Sequence, residues 1–144
     1  MNIDLILLLA RCLAAPIMLI YGVQKLLDIK DDFIDNPATE RFMKVFAHGE
    51  RSPLWFAYAN ALFQFAVGLA ILLGFQTQIF AALAALWFIP VTYFGHPFWA
   101  GIDPVVNKEN FIKNLAIISA YLMIFCFGAG KYSIDGLWYY PISL

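Results

Sequence analysis

Long stretches without a charged residue dominate the chain. Residues 52–102 and 114–130 contain no Asp, Glu, Lys or Arg, and Arg11 is the only charge from residue 5 to residue 24. A bilayer core of about 30 Å requires about 20 apolar residues in a helix, so this pattern predicts membrane-spanning helices. Four spans are predicted, over residues 5–27, 53–73, 79–95 and 111–128.

Glycine and polar residues divide these spans. The sequence Gly-Phe-Gln-Thr-Gln at 74–78 favours a tight turn between the second and third spans. Gly128 and Gly130 favour the end of the fourth span. No internal repeat interrupts the pattern, so residues 1–144 are predicted to form a single domain.

Composition excludes several classes of protein. The 144 residues are 62% hydrophobic and 13% charged, whereas an ordinary soluble domain is about 45–50% apolar and about 25% charged. A soluble monomer of this composition would expose large apolar patches, and a disordered chain would be far more polar. The formal net charge of −1 gives no attraction for nucleic acid.

Four spans place both ends of the chain on one side of the membrane, named side A here, and the first and third loops on the other, named side B. Most Lys and Arg residues of the loops lie on side B, which the positive-inside rule assigns to the cytoplasm. Tyr and Trp favour both boundaries because their rings are apolar and their tips are hydrated. They are Trp55 and Trp99 at side B, and Tyr132, Trp138, Tyr139 and Tyr140 at side A.

The first loop is the longest polar segment. Asn36 or Thr39 is a suitable N-cap, and Phe42, Val45 and Phe46 then recur at helical spacing. Two interpretations remain open: a helix lying in the membrane interface, or a lid packed over the end of the bundle. The predicted fold class is therefore all-α, a four-helix transmembrane bundle with a short amphipathic helix in the first loop.

Polar residues within the spans are candidates for function, because they are costly in lipid. Arg11 lies too deep for a simple boundary residue, and it shares a stripe with Met18 and Lys25 at intervals of seven. This stripe is predicted to face the inside of the bundle, since Arg facing lipid is rare.

Asn60, Gln64 and Gly68 occur at intervals of four on one face of the second span. Their spacing favours hydrogen bonds between helices, with glycine permitting close approach. Contact with a bound ligand is the alternative interpretation.

The densest polar group is predicted at side B. His96 ends the third span, Lys25 ends the first, and Lys113 and Asn114 begin the fourth. These side chains reach one depth, where they could donate hydrogen bonds to a carbonyl group of a ligand. Residues that merely fix the depth of each helix are an equally good interpretation.

Metal and thiol chemistry is not indicated. The chain has two histidines and two cysteines, and it contains no Cys-x-x-Cys motif. No metal site is predicted, and a bis-histidine haem lacks a second histidine within a span.

Five short motifs follow one another along nearly the whole chain. They are Arg11 with Tyr-Gly-Val-Gln-Lys-Leu at 21–26, Val-Gly-Leu-Ala-Ile-Leu-Leu-Gly-Phe-Gln-Thr at 67–77, His-Pro-Phe-Trp at 96–99, Asn-Phe-Ile-Lys-Asn-Leu-Ala at 110–116 and Ser-Ile-Asp at 133–135. In order and spacing these motifs resemble the DoxX family of small bacterial membrane proteins. Two positions depart from the family pattern: Gln64 stands where a Glu is usual, and Gln78 where an Arg is usual.

The resemblance implies a multi-pass protein of the bacterial inner membrane, associated with quinone-linked redox chemistry. It also implies that His96, Trp99, Lys113 and Asn114 share a site. The leading hypothesis is a subunit or accessory protein of a membrane redox system. In it Lys25, Lys113 and His96 donate hydrogen bonds to a quinone-type headgroup and Trp99 packs on the ring.

The expected partners are the lipid bilayer, other membrane or peripheral redox subunits, and a second copy of the chain. No cofactor other than a quinone is implied, and whether the protein is an enzyme is left open. The alternative hypothesis is a non-catalytic scaffold that docks partner proteins through Phe42 and Phe46.

Overall fold

The chain is predominantly helical in the computed structural model, which describes residues 2–101 and 103–139. No strand occurs in those ranges. The helices are α1 (Ile3–Leu27), α2 (Pro37–Phe46), α3 (Leu54–Leu73), α4 (Thr77–Gly95), α5 (Pro104–Phe127) and α6 (Ile134–Tyr139). A π-helical turn at Lys30–Ile34 precedes α2, and a 3-10 turn at Phe98–Ala100 precedes α5.

Within the described ranges, four helices are long and apolar enough to cross a membrane: α1, α3, α4 and α5. They form a ring in which α1 packs against α3 and α5, and α4 packs against the same two helices. The tightest pairs are α1 with α3 and α4 with α5. The predicted fold class, a four-helix transmembrane bundle with a short helix in the first loop, is confirmed.

The beginning of α5 differs from the sequence prediction. The helix begins at Pro104, about two turns before the predicted residue 111. Hydropathy detects only the apolar part of a helix, and the first two turns of α5 include Lys108 and Glu109. Proline at the first helical position, directly after Asp103, is the local signal for the true start.

Two glycines bring α1 and α3 into backbone contact. A Cβ atom on Gly22 would lie 2.7 Å from the backbone nitrogen of Phe65, and one on Gly68 would lie 2.8 Å from that of Leu19. Small residues allow such close approach between membrane helices. Arg11 and Met18, two residues of the predicted stripe, face the interior of the bundle, since both are almost completely buried.

Arg11 binds backbone carbonyls at the side A end of the bundle. Its guanidinium donates hydrogen bonds to Leu72 O at 3.0 Å, to Ile71 O at 3.4 Å and to Tyr132 O. Two of these carbonyls belong to the last turn of α3, which lacks its full set of helical N–H donors, and Ile71 O also accepts a hydrogen bond from Gly74 N at 3.2 Å. The partner of Arg11 is thus a group of carbonyl dipoles at a helix C-terminus, which favours a cation.

Gly74 leaves the space that Arg11 requires. It has a φ of 70°, in the left-handed region, and ends α3. A Cβ atom there would collide with the Arg11 guanidinium and with Ser133. The turn, the arginine and the loop after α5 are therefore packed as one unit.

Asp135 caps the N-terminus of α4 from across the same unit. Its carboxylate accepts hydrogen bonds from Gln76 N at 2.7 Å and from Thr77 N at 2.8 Å. Its own N–H donates to Gly74 O at 2.8 Å. The Ser-Ile-Asp motif at 133–135 thus has a structural role at side A.

We expect Asp135→Asn to lower the free energy of unfolding by about 1–2 kcal/mol, because an amide group accepts only one of the two hydrogen bonds and loses the charge at the helix N-terminus. Unfolding in mixed micelles, followed by circular dichroism, measures this loss. Asp103→Asn is the matched control, since Asp103 precedes α5 without making a capping hydrogen bond. An equal loss in both variants would contradict the capping role.

The short helix α2 packs over the side B end of the bundle. Asn36 caps it by accepting a hydrogen bond from Ala38 N at 2.9 Å. The Phe42 ring packs against Phe56 and Phe94, and Arg41 donates a hydrogen bond to Phe94 O at 2.8 Å. Of the two interpretations of this segment, the structure therefore favours the lid.

The outer surface of the lid is largely exposed, although one edge of the Phe46 ring contacts the Phe94 ring of α4 at 6.2 Å between centroids. Val45 and Phe46 are each 65% exposed. On the same helix Lys44 forms an ion pair with Glu40, and the hydrogen bond and charge of Lys44 lower the pKa of the Glu40 carboxyl.

The aromatic residues expected at the membrane boundaries are mostly exposed. Trp55, Trp99, Tyr132 and Trp138 all present more than half of their surface. Such exposure fits rings that contact the bilayer interface. Tyr140 and the side chain of Tyr139 lie outside the described part of the chain.

Candidate functional site

A cavity of about 1020 Å³ occupies the side B half of the bundle. All four membrane-spanning helices and α2 contribute to its wall. The cavity reaches furthest into the membrane-spanning part of the bundle at Ile17 of α1, Gln64 of α3, Trp87 of α4 and Ile117 of α5. Cavities between the helices of a bundle are common positions for ligand sites.

Much of the wall is aromatic. The rings belong to Tyr21, Phe33, Phe42, Phe56, Trp87, Phe88 and Phe94. Flat apolar surfaces of this kind bind planar or aliphatic groups rather than a hydrated solute.

Lys25 places a cation within this aromatic wall. Its ammonium donates a hydrogen bond to Gln64 Oε1 at 2.9 Å. The same nitrogen lies 5.1 Å from the centre of the Trp87 ring and 5.5 Å from that of Phe33. Both distances are within the range of cation–π attraction, so the ammonium has three defined neighbours.

The polar residues of α3 line the cavity and also connect helices. Gln64 is buried and its hydrogen bond to Lys25 joins α3 to α1, as the spacing of the polar residues predicts. Asn60 lines the same cavity one turn earlier. Its Oδ1 is buried and has no hydrogen-bond partner among the described residues, which is costly unless a ligand or water satisfies it.

Four of the five residues predicted to form a site line this cavity: Lys25, His96, Lys113 and Asn114. His96 follows the last residue of α4, and Asn114 is buried on α5. The structure therefore brings these side chains to one depth, as their positions at the helix ends indicate.

Trp99 is the exception. It is 52% exposed and packs against Tyr93 and Phe111 outside the cavity lining. Trp87, which hydropathy alone identifies only as a core residue, is the tryptophan that lines the cavity. Helical spacing could have identified Trp87 as a lining residue. It lies on the same face of α4 as Val91 and as other lining residues one or two turns away from it.

Asn114, which the sequence predicts as a site residue, belongs to a row of amides on α5 whose other two members were not predicted. Asn107, Asn110 and Asn114 line the cavity at intervals of three and four residues. This is the spacing of one helical face. The row becomes visible only when α5 begins at Pro104, so the error in the helix boundary concealed it.

Charges of both signs surround the cavity. Lys25, Arg41 and Lys113 are the cations, and Asp32 and Asp103 are the carboxylates of the lining. Both carboxylates are exposed. Within residues 2–101 and 103–139 no three His, Cys, Asp or Glu side chains form a cluster suited to a metal ion.

Comparison with known proteins assigns the family. The sequence model of the DoxX family matches residues 6–97, which make up more than half of the chain. The chain belongs to the DoxX family. The matched part includes α1 to α4 and hence Lys25, Asn60, Gln64 and His96, whereas Lys113 and Asn114 lie beyond it.

Two relatives from Escherichia coli (strain K12) are similar to this DoxX protein. The inner membrane protein YphA is 27% identical over 132 residues, which cover 90% of this chain and 88% of YphA. The inner membrane protein YqjF is 38% identical over 76 residues, which cover 53% of this chain and 56% of YqjF. No solved structure matches the chain.

These findings confirm the predicted location. This DoxX protein is a multi-pass membrane protein whose four spans contact the lipid bilayer, and both relatives are named as inner membrane proteins. The assignment of side B to the cytoplasm stays a prediction.

Proposed function

We propose that this DoxX protein binds a quinone-type headgroup in the side B cavity and serves as an accessory subunit of a membrane redox system. The observation that carries the proposal is the cavity itself. It combines aromatic walls with hydrogen-bond donors at the depth where the spans end.

The lining residues fit such a headgroup. A quinone is a planar ring with carbonyl acceptors, and Lys25, His96 and Lys113 provide donors from three different helices. The rings of Trp87 and Phe88 provide apolar surface beside them. A bound quinone supplies two-electron, two-proton redox chemistry, while these residues hold and orient its oxygens.

The packing of α2 supports the alternative function, a scaffold that docks partner proteins, less well than it supports the quinone site. Docking through Phe42 and Phe46 requires both rings to be available to a partner. Phe42 instead packs against Phe56 and Phe94, and only Phe46 remains exposed. One of the two rings proposed for docking, that of Phe42, thus packs over the cavity instead of facing a partner.

Fluorescence quenching tests the proposal directly, because quinones quench tryptophan at short range. The chain has four tryptophans, so a variant carrying Trp55→Phe, Trp99→Phe and Trp138→Phe retains only Trp87. In phosphatidylcholine nanodiscs, 2-methyl-1,4-naphthoquinone is expected to quench this variant saturably.

The Trp87→Phe variant is the matched control and keeps the other three tryptophans. It is expected to show only quenching that rises linearly with the quinone in the bilayer. Linear quenching of Trp87 as well would mean that the headgroup does not occupy the cavity.

A further inference from the structure

We propose that the headgroup bound in the cavity is an anion, an ionised hydroxyquinone, and that Lys25 is the residue that selects its charge. This inference rests on the proposed function and names its class of ligand. The shared chemistry is an ionised oxygen on a planar apolar body.

The charge of Lys25 has no counter-ion. Its hydrogen-bond partner is the neutral amide of Gln64, and no described carboxylate lies within ion-pair distance of its ammonium. Asp32 interacts with Lys25 only at longer range and is exposed to solvent. Water therefore screens the one carboxylate that acts on this cation.

The surroundings of Lys25 strengthen its attraction for an anion. Aromatic rings rather than water occupy two sides of the ammonium. Coulomb attraction at a given distance is about four times stronger at an effective dielectric constant of about 20 than in bulk water. The attraction of Lys25 for a charged ligand oxygen is thus stronger than its attraction for a neutral carbonyl, and this difference offsets the cost of removing the anion from water.

The other two cations of the lining also lack a carboxylate partner among the described residues. Arg41 donates to the backbone carbonyl of Phe94, which is also neutral. Lys113 forms no ion pair with a described carboxylate. Lys113, Asp32 and Asp103 are exposed, whereas Lys25 and Arg41 are half-buried, so the less hydrated charges of the cavity are both positive.

Gln64 permits this arrangement because it orients Lys25 without cancelling its charge. A glutamate at the same position has the same length and would form an internal ion pair with Lys25. The amide holds the ammonium in place and leaves its charge available to a ligand. Gln64 is therefore a positioning residue, and Lys25 contacts the ligand.

Two probes of nearly equal size separate charge from shape. 2-Hydroxy-1,4-naphthoquinone is ionised at neutral pH, and 2-methoxy-1,4-naphthoquinone is neutral. We expect the wild-type protein in phosphatidylcholine nanodiscs to bind the ionised probe at least about 10-fold more tightly, after correction for partitioning into empty nanodiscs.

Two variants then test the role of the cation. Lys25→Met is expected to lose the preference, because the affinity for the ionised probe falls at least about 10-fold further than that for the methoxy probe, which loses one hydrogen-bond donor only. Gln64→Glu is expected to lose the preference as well, with Lys25 still present, so the result does not depend on one variant folding. Lys108→Met, on α5 but outside the cavity lining, is the control and is expected to keep the preference.

The outcomes distinguish the two proposals. If neither probe binds saturably, the proposed function is wrong and this inference is wrong with it. If both probes bind equally, the quinone site stands and the anionic ligand is wrong. A preference that survives both Lys25→Met and Gln64→Glu overturns the role of Lys25.

Nanodiscs of phosphatidylglycerol distinguish a hydroxyquinone from an anionic lipid headgroup. Retention of the ionised probe in these nanodiscs supports the hydroxyquinone. Its displacement, with Lys25→Met abolishing the competition, would assign the anion site to a lipid and overturn the hydroxyquinone.

Discussion

Replacing Arg11 by methionine is expected to lower the free energy of unfolding by about 3 kcal/mol, the largest loss for any single residue of the side A unit. The substitution removes the guanidinium donor of the Leu72 and Tyr132 carbonyls, whereas the Ile71 carbonyl keeps its hydrogen bond from Gly74 N. Methionine fills similar space, so the loss arises from unsatisfied polar groups rather than from a cavity. Release of the buried charge offsets only part of it.

Denaturation of the purified protein in mixed micelles, followed by circular dichroism, measures this effect. Arg51→Met is the matched control, because Arg51 pairs with Asp35 at the exposed surface. Exposed ion pairs contribute about 0–1 kcal/mol. Equal losses in the two variants would show that Arg11 does not join the helices at side A.

Replacing Gly22 by alanine is expected to cost about 2–3 kcal/mol, because the added methyl group meets backbone rather than a flexible side chain. Its Cβ would lie 2.7 Å from Phe65 N and 3.3 Å from Ala61 O. Helix α1 must therefore move away from α3. Lys25 lies one turn further along α1, so the same movement draws its ammonium away from Gln64.

Gly95→Ala is the control for Gly22→Ala and is measured by the same unfolding experiment. Gly95 ends α4, and the nearest atom to an added Cβ is the Ala38 Cβ at 3.9 Å, an ordinary contact. Alanine also forms helices better than glycine, by up to about 1 kcal/mol. Stability should stay constant or rise, and a loss like that of Gly22→Ala would rule out the backbone contact as the cause.

The architecture was predictable from hydropathy because the bilayer imposes it. Each span must be apolar over the thickness of the hydrocarbon core, which makes the four spans visible in a single sequence. The polar beginning of α5 lies outside that constraint. Only the local signal of Asp103 followed by Pro104 identifies it, and hydropathy averages such a signal away.

The depth of the site residues in the membrane could be predicted from the sequence. The direction in which each helix presents them could not. Lys25, His96, Lys113 and Asn114 occur at span ends on side B, and that position alone places them at one level of the membrane. The rotation of a helix about its axis depends on packing with its neighbours. For that reason Trp99 and Trp87 could not be ranked as lining residues before the packing of α4 was known.

Hydrogen bonds to Arg11 and Asp135 join three separate parts of the chain at side A: α1, the turn between α3 and α4, and the segment after α5. At side B the helices line an open cavity, and the hydrogen bond from Arg41 to Phe94 O and a group of rings hold the lid in place. Among the described residues, the hydrogen bonds that tie three distant segments together thus lie on the opposite side of the bilayer from the cavity. A rearrangement that admits a ligand is therefore expected at side B, where it would leave the hydrogen bonds of Arg11 and Asp135 intact.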